Sequence, residues 1–123
     1  NVCDLARSAG ATYVARWTTA HPKPLLQSIK EAIEHPGFSF VEVISQCPTQ
    51  AGRYMEGTSD PAQLLALLRK RAMPVEQAKG ISPQDLQGRI IVGKLHHSSE
   101  KKEFSRALYE SFPEKTANDD DPH

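Results

Sequence analysis

The sequence predicts an α/β fold, a parallel sheet flanked by helices, followed by a partly helical tail. Two short, β-prone and largely apolar segments, residues 11–15 and 38–44, lie on either side of a segment with helical periodicity. A strand, a helix of about three turns and another strand form a βαβ unit with parallel strands. Sheets of this kind are covered on both faces, which is why residues 11–15 are almost all apolar.

Helix boundaries in the first half follow from breakers and caps. Apolar residues at helical spacing indicate a first helix over residues 2–9, and Gly10 is a typical residue to end it. Pro22 and Pro24 mark the beginning of a second helix, because proline costs least in the first turn. His35-Pro36-Gly37 ends that helix.

The second helix is amphipathic. We expect its apolar stripe to pack on the sheet: Leu25, Leu26, Ile29, Ala32 and Ile33. The charged residues Lys30, Glu31 and Glu34 are expected to face water.

Regular structure is sparser in the second half. Residues 47–57 are predicted to be irregular, Asp60 and Pro61 to cap and begin a leucine-rich helix, and residues 73–88 to form a surface-crossing connection. Residues 89–92 are consistent with a short strand. A last helix, capped by Ser98 or Ser99, carries one apolar face: Phe104, Ala107, Leu108 and Phe112. Residues 118–123 are predicted to be a frayed acidic end.

Charge and hydropathy exclude several classes of partner. The 123 residues include 15 Lys plus Arg and 15 Asp plus Glu, so the formal net charge is zero and there is no general attraction to nucleic acid or to an anionic membrane. No apolar run approaches the length of a membrane span. The chain begins at Asn1 in what the pattern predicts to be a helix, with no signal peptide. We therefore expect a segment upstream of Asn1 in the intact protein.

Two cysteines, Cys3 and Cys47, are present. So few cysteines without a secretory signal indicate a reducing, cytoplasmic setting in which free thiols are the default. A single disulfide between them stays an alternative, because the sequence does not test the required geometry.

Other candidate sites are weaker. Adjacent His96 and His97 point to opposite faces if they lie in a strand, and no zinc-like ligand spacing is present. Residues 52–59 have the glycine spacing of a phosphate-binding loop, but Thr58 stands where that loop needs lysine, so an ordinary loop is favoured. No catalytic residue is assigned in this chain.

Two stretches resemble a known family. They are Ala9-Gly-Ala-Thr-Tyr-Val-Ala-Arg16, followed by Thr18-Thr-Ala-His-Pro22, and Gly37-Phe-Ser-Phe-Val-Glu-Val-Ile-Ser-Gln-Cys-Pro-Thr49. Both resemble the C-terminal portion of the beta subunit, which binds thiamine diphosphate, of 2-oxoacid:ferredoxin oxidoreductases. Residues 43–49 are typical of the 2-oxoglutarate branch. The resemblance covers roughly the first half of the chain and is loose beyond Arg53.

The resemblance implies three cofactors in the intact subunit: thiamine diphosphate, Mg²⁺ and a [4Fe–4S] cluster. The family's Gly-Asp-Gly motif for the diphosphate does not occur in this sequence. The position that matches Cys47 supplies the fourth cluster ligand, and the other three cysteines lie in an N-terminal part that this sequence lacks. A cubane cluster needs about four thiolates, and two are available here at most. We assign Cys47 as ligand and expect Cys3 to serve packing.

The resemblance also implies the reaction and its partners. The reaction is oxidative decarboxylation of a 2-oxoacid, most typically 2-oxoglutarate, with coenzyme A and with electron transfer to ferredoxin; an alpha subunit is the protein partner. This chain alone is expected to be inactive. Residues 1–57 are assigned to the thiamine-diphosphate-binding domain, 58–117 to a helical and extended tail, and 118–123 to a disordered acidic end.

Two alternatives stay open. The chain can be a non-catalytic α/β assembly module with an inert thiol, buried at the end of a strand. It can also belong to a relative specific for pyruvate or for a branched-chain 2-oxoacid, because residues that select the substrate are expected elsewhere.

Overall fold

A four-stranded sheet with helices packed against it forms the described part of the chain. The computed structural model describes residues 1–99 and 104–112. The elements are α1 (Val2–Ser8), β1 (Tyr13–Thr18), α2 (Pro22–Glu34), β2 (Ser39–Ile44), α3 (Ala51–Met55), α4 (Pro61–Arg71), β3 (Ala72–Pro74), α5 (Val75–Ala78), β4 (Ile90–His97) and α6 (Phe104–Ser111).

The strand order in the sheet is β2-β1-β4-β3. β1 and β2 pair in parallel across α2, so the predicted βαβ unit and the α/β class are confirmed. β3 and β4 are also parallel, whereas β1 and β4 are antiparallel, a pairing that the sequence analysis did not predict. Because β4 runs against β1, the beginning of β4 lies at the same edge of the sheet as the ends of β1 and β2.

The core lies where α1 meets the sheet. Cys3, Ala11 and Val14 are buried together there, with Ala6, Phe40 and Leu95 packed against them. α1 ends at the predicted place, because Gly10 has a φ of 102°, a conformation that glycine adopts without strain. The apolar face of α1 is buried only in part: Val2 and Leu5 are exposed, whereas Cys3 is buried, in agreement with its predicted packing role.

The orientation of α2 differs from the prediction. Leu26, Ile29 and Ile33 are exposed, whereas Ser28 is buried. The reason is hydrogen bonding under the helix: the Trp17 indole donates to Ser28 Oγ at 2.7 Å, and the hydroxyl of Tyr13 donates to the backbone carbonyl of Ser28 at 3.2 Å. Buried aromatic side chains with polar groups need such partners, so they set the rotation of the helix.

The expectation that Glu31 simply faces water is wrong. Its carboxylate accepts from the Tyr13 hydroxyl at 3.2 Å and forms a salt bridge with Lys94 of β4 at 2.7 Å. These contacts connect α2 to β1 and β4 and hold the pKa of Glu31 below its ordinary value, chiefly through the bond from Lys94.

The connections contain more regular structure than predicted. Residues 47–57 were predicted to be irregular but include the helix α3. The connection predicted over residues 73–88 includes part of β3 and the helix α5. The strand predicted over residues 89–92 extends to His97 because it pairs with both β1 and β3. Asp60 caps α4 as predicted, since its carboxylate accepts from the N–H of Ala62 at 3.0 Å.

Some predictions lie beyond the described residues. The acidic end at 118–123 is outside them, and residues 100–103, between Ser99 and α6, are also outside them, so the cap of the last helix stays a prediction. The sheet takes strands from both sides of residue 57, and the domain limits likewise stay a prediction. Across residues 1–99 and 104–112, no helix combines the length and the apolar content that crossing a bilayer requires.

Candidate functional site

Cys47 lies at the edge of the sheet where β1 and β2 end. β2 stops at Ile44, whose carbonyl accepts from the N–H of Thr19 at 3.0 Å. The hydroxyl of Thr19 then donates to the side-chain carbonyl of Gln46 at 2.6 Å. These bonds tie the ends of the two strands together and fix the residue directly before Cys47. The carboxyl edge of a parallel pair is where ligands of α/β proteins usually bind.

The loop that carries Cys47 is closed by Gly52. The N–H of Gly52 donates to the carbonyl of Cys47 at 2.7 Å, and its own carbonyl accepts from the N–H of Thr58 at 3.0 Å. A Cβ added at Gly52 would lie 2.6 Å from a methyl carbon of Leu64 and 2.7 Å from the Thr58 carbonyl. Packing therefore requires glycine at this position. Within residues 52–59, this glycine allows the loop that carries Cys47 to pack closely on α4.

The thiol of Cys47 is activated by hydrogen-bond donors. Its Sγ lies 3.6 Å from the hydroxyl of Thr49. That side chain, followed by the backbone N–H groups of Gln50 and Ala51, lowers the pKa of the thiol from 9.0 to about 7. The thiolate is therefore available near neutral pH. The side chain is partly exposed, which agrees with a reactive thiol and not with the alternative of a fully buried one.

A crevice of about 90 Å³ opens beside this sulfur. Its apolar wall is formed by Leu64, Leu67 and Leu68 of α4. At its other end Arg71 binds Glu56 through two parallel bonds of 2.5 and 2.8 Å. Cys47, the leucines and this ion pair therefore line the same crevice. A partly exposed thiol with a lowered pKa can act as a metal ligand or as a nucleophile.

The second cysteine does not join this site. Cys3 is buried in α1, and its Sγ donates to a carboxylate oxygen of Glu42 at 3.1 Å. Burial, with the hydrogen bond to Glu42, raises the pKa of the Cys3 thiol to about 11. Both thiols are free, so the alternative of a disulfide is not realised. The packing role predicted for Cys3 agrees with these contacts.

The histidines do not form a metal centre in the described part of the chain. His96 and His97 are adjacent in β4, and the ring of His97 lies 5.2 Å from that of His35. His35 ends α2 as predicted, but burial and the neighbouring His97 lower its pKa, so the helix dipole is not the dominant effect there. Within residues 1–99 and 104–112, no group of three or more His, Cys, Asp or Glu side chains is arranged to hold a metal ion.

Several residues of the site were not predicted from the sequence. Thr49 is part of the Cys-Pro-Thr turn, so its closeness in sequence was the available signal. No sequence pattern indicated the ion pair of Arg71 with Glu56, because 15 residues separate the partners and Arg71 lies at the far end of α4. Gly52 was noticed only for its spacing.

Comparison with known proteins identifies the family to which this fold belongs. No family model matches the chain. It is 45% identical over 109 residues to 2-oxoglutarate synthase subunit KorB of Methanocaldococcus jannaschii, covering 89% of this chain and 40% of the relative. It is 35% identical over 120 residues to the subunit of the same name from Methanothermobacter marburgensis, covering 98% of this chain and 41% of the relative.

A solved structure supports the same class. The fold matches that of a 2-oxoglutarate:ferredoxin oxidoreductase from Magnetococcus marinus, determined with 2-oxoglutarate, coenzyme A and succinyl-CoA bound. The TM-score is 0.61 at 25% identity, over 89% of this chain and 38% of that chain.

Sequence and fold together confirm the resemblance to the beta subunits of 2-oxoacid:ferredoxin oxidoreductases. Within that family the chain fits the 2-oxoglutarate branch. The similarity extends well past Arg53, so the resemblance is longer than the motifs alone indicated. The chain spans about 40% of the length of the curated relatives that it matches.

Proposed function

We propose that this chain is the C-terminal portion of the beta subunit of a cytoplasmic 2-oxoglutarate:ferredoxin oxidoreductase. The intact enzyme would decarboxylate 2-oxoglutarate oxidatively, transfer the acyl group to coenzyme A and pass electrons to ferredoxin, together with an alpha subunit. The identities of 45% and 35% to subunits of 2-oxoglutarate synthase support this proposal.

Cys47 is the residue of this chain that would bind a cofactor, as one of four thiolate ligands of a [4Fe–4S] cluster. The observation that carries this assignment is the donor chemistry around its sulfur. The thiol has a pKa lowered to about 7, it is partly exposed beside a crevice, and backbone N–H groups already point at it. Ligand sulfurs that accept such bonds are stabilised as thiolates, and the same bonds adjust the reduction potential of a cluster. When bound, the cluster would carry one electron at a time.

The other cofactors would be held elsewhere. The sequence has no Gly-Asp-Gly run for thiamine diphosphate and Mg²⁺, and the two cysteines of the chain are too few for a cubane cluster. The remaining ligands would come from the part of the longer beta subunits that this sequence does not include. This chain contributes the sheet edge that holds Cys47 in place, and it is inactive by itself.

The proposal is tested in the intact beta subunit that contains this sequence. Cys47→Ser is compared with Cys3→Ser, which removes the other thiol at a distance from the crevice. After anaerobic reconstitution with iron and sulfide, the wild type and Cys3→Ser are expected to bind about four irons per subunit. Cys47→Ser is expected to bind less iron and to lose the electron paramagnetic resonance signal of the reduced cubane cluster. Equal iron content and spectra in all three proteins would refute the ligand role.

The substrate assignment is tested separately with the assembled enzyme. Reduction of ferredoxin is followed with coenzyme A and one of three acids: 2-oxoglutarate, pyruvate or a branched-chain 2-oxoacid. We expect the highest kcat/KM for 2-oxoglutarate. A preference for pyruvate would move the protein to another branch of the family and leave the role of Cys47 intact.

A further inference from the structure

We infer that a basic groove beside α4 binds a phosphate-bearing anion. The basic groove is lined by Leu67, Lys70, Arg71, Gln87, Gly88 and Arg89 and has a volume of about 310 Å³. It lies between the last turn of α4 and the loop before β4. The inference goes beyond the proposed function, because this groove has no part in holding the sulfur of Cys47.

The sheet brings the cations of the groove together. Ala72 pairs with Ile90 where β3 and β4 begin in parallel, so the residues before them, Arg71 and Arg89, are neighbours. The guanidinium of Arg89 donates to the carbonyl of Lys70 at 3.0 Å, which holds it across the end of α4. One N–H of that guanidinium is used in this bond, and the others are available.

The positive charge of the groove is only partly balanced, through the pair of Arg71 with Glu56. No carboxylate lines it. Arg71 already pairs with Glu56, but in the part of the chain that the structure describes no carboxylate pairs with Lys70 or Arg89. The whole chain has equal numbers of acidic and basic residues, so this excess is a local feature. Gln87, whose side-chain amide is a hydrogen-bond donor, also lines the groove.

The chemistry of the lining favours phosphate over other ligands. A guanidinium offers a planar fork of N–H donors that fits phosphate oxygens, and the lysine ammonium adds a compact charge. The helix dipole places roughly half a negative charge at the C-terminal end of α4, which repels an anion. The two full positive charges of Lys70 and Arg89 outweigh that repulsion. A volume of about 310 Å³ accommodates a phosphate or diphosphate group but not a folded partner.

Two sources can supply this group: a phosphorylated organic cofactor or free inorganic phosphate. Coenzyme A, which is bound in the similar structure from Magnetococcus marinus, is a suitable example of the first source. Inorganic pyrophosphate is a suitable example of the second. The intact beta subunit that contains this sequence is titrated with each probe at low ionic strength by isothermal calorimetry, because exposed charges are screened at high salt.

The test compares variants of equal charge. Lys70→Gln and Arg89→Gln together remove two positive charges from the groove, and Lys23→Gln with Lys30→Gln removes two from the exposed face of α2. The groove double variant is expected to bind at least about tenfold more weakly, and the α2 double variant within about twofold of the wild type. Arg89→Lys keeps the charge without the fork and is expected to fall between them.

The outcomes are distinct. Tighter binding of coenzyme A than of pyrophosphate, lost only in the groove variant, supports an organic ligand; equal binding of both supports a site for free phosphate. Equal weakening in the groove and α2 variants would show unspecific attraction and overturn the inference, as would no loss in a groove variant with an unchanged circular dichroism spectrum. The iron content measured for Cys47→Ser tests the proposed function independently.

Discussion

The two cysteines of this chain show how the surroundings of one residue type decide its chemistry. Cys3 is only 1% exposed, donates to a carboxylate and has a pKa raised to about 11. Cys47 is partly exposed, lies 3.6 Å from the hydroxyl of Thr49, and has a pKa lowered to about 7 by that side chain and by backbone N–H groups. Burial and the hydrogen bond to Glu42 favour the protonated form of the first sulfur, whereas the donors around the loop favour the thiolate of the second. A cysteine count alone shows neither property.

The largest expected difference between the two sulfurs is their rate of alkylation. The pKa of about 7 makes the thiolate of Cys47 available near neutral pH, whereas the pKa of about 11 keeps Cys3 protonated, and burial slows Cys3 further. We expect iodoacetamide to modify Cys47 at least about a thousandfold faster, as followed by peptide mass spectrometry. The rate at Cys47 should rise with pH through about 7, because the thiolate is the reactive form. Comparable alkylation rates at Cys3 and Cys47 would contradict the difference in pKa between the two thiols.

Substitution of Cys3 should affect the free energy of unfolding more than substitution of Cys47, the reverse of their order in alkylation rate. Cys3→Ala removes a buried sulfur from the core around Val14, and we expect it to lower the free energy of unfolding by about 1–2 kcal/mol. Cys47→Ala removes a sulfur at the surface and should change stability by less than about 0.5 kcal/mol. Urea unfolding followed by circular dichroism measures both. A larger loss for Cys47→Ala would mean that the thiol supports the fold of its loop.

The smallest expected effect concerns the donor beside Cys47. Thr49→Val keeps the shape of the side chain but removes the hydroxyl, so the pKa of Cys47 should rise towards its ordinary value. Thr49→Ser keeps the hydroxyl and is the matched control. Titration of thiolate absorbance in a Cys3→Ala background isolates the group. Identical titration curves for both variants would assign the lowered pKa to the backbone donors alone.

The sequence predicted the parts of the fold that depend on local order. Proline at the beginning of α2, Gly10 after α1 and Asp60 before α4 act within a few residues, and all three predictions are confirmed. The rotation of α2 could not be predicted in this way. It depends on hydrogen bonds from Tyr13 and Trp17, whose positions under the helix exist only once the sheet has formed.

The candidate site likewise combines features that the local sequence predicts with features that depend on the tertiary fold. The place of Cys47 after a strand was predicted, because strand and turn are adjacent in sequence. The donors that lower its pKa come from the turn into α3, a segment predicted to be irregular. The pair of Arg71 with Glu56 needs α4 to return towards the crevice, which no local pattern indicates.

Arg71 links the crevice beside Cys47 to the basic groove. Its side chain contributes both to the crevice beside Cys47 and to the basic groove, and its guanidinium is held by Glu56. An anion that drew Arg71 towards the groove would compete with Glu56 for the same guanidinium. Occupancy of the groove and formation of this ion pair would then depend on each other, because two coupled equilibria shift one another by the same factor.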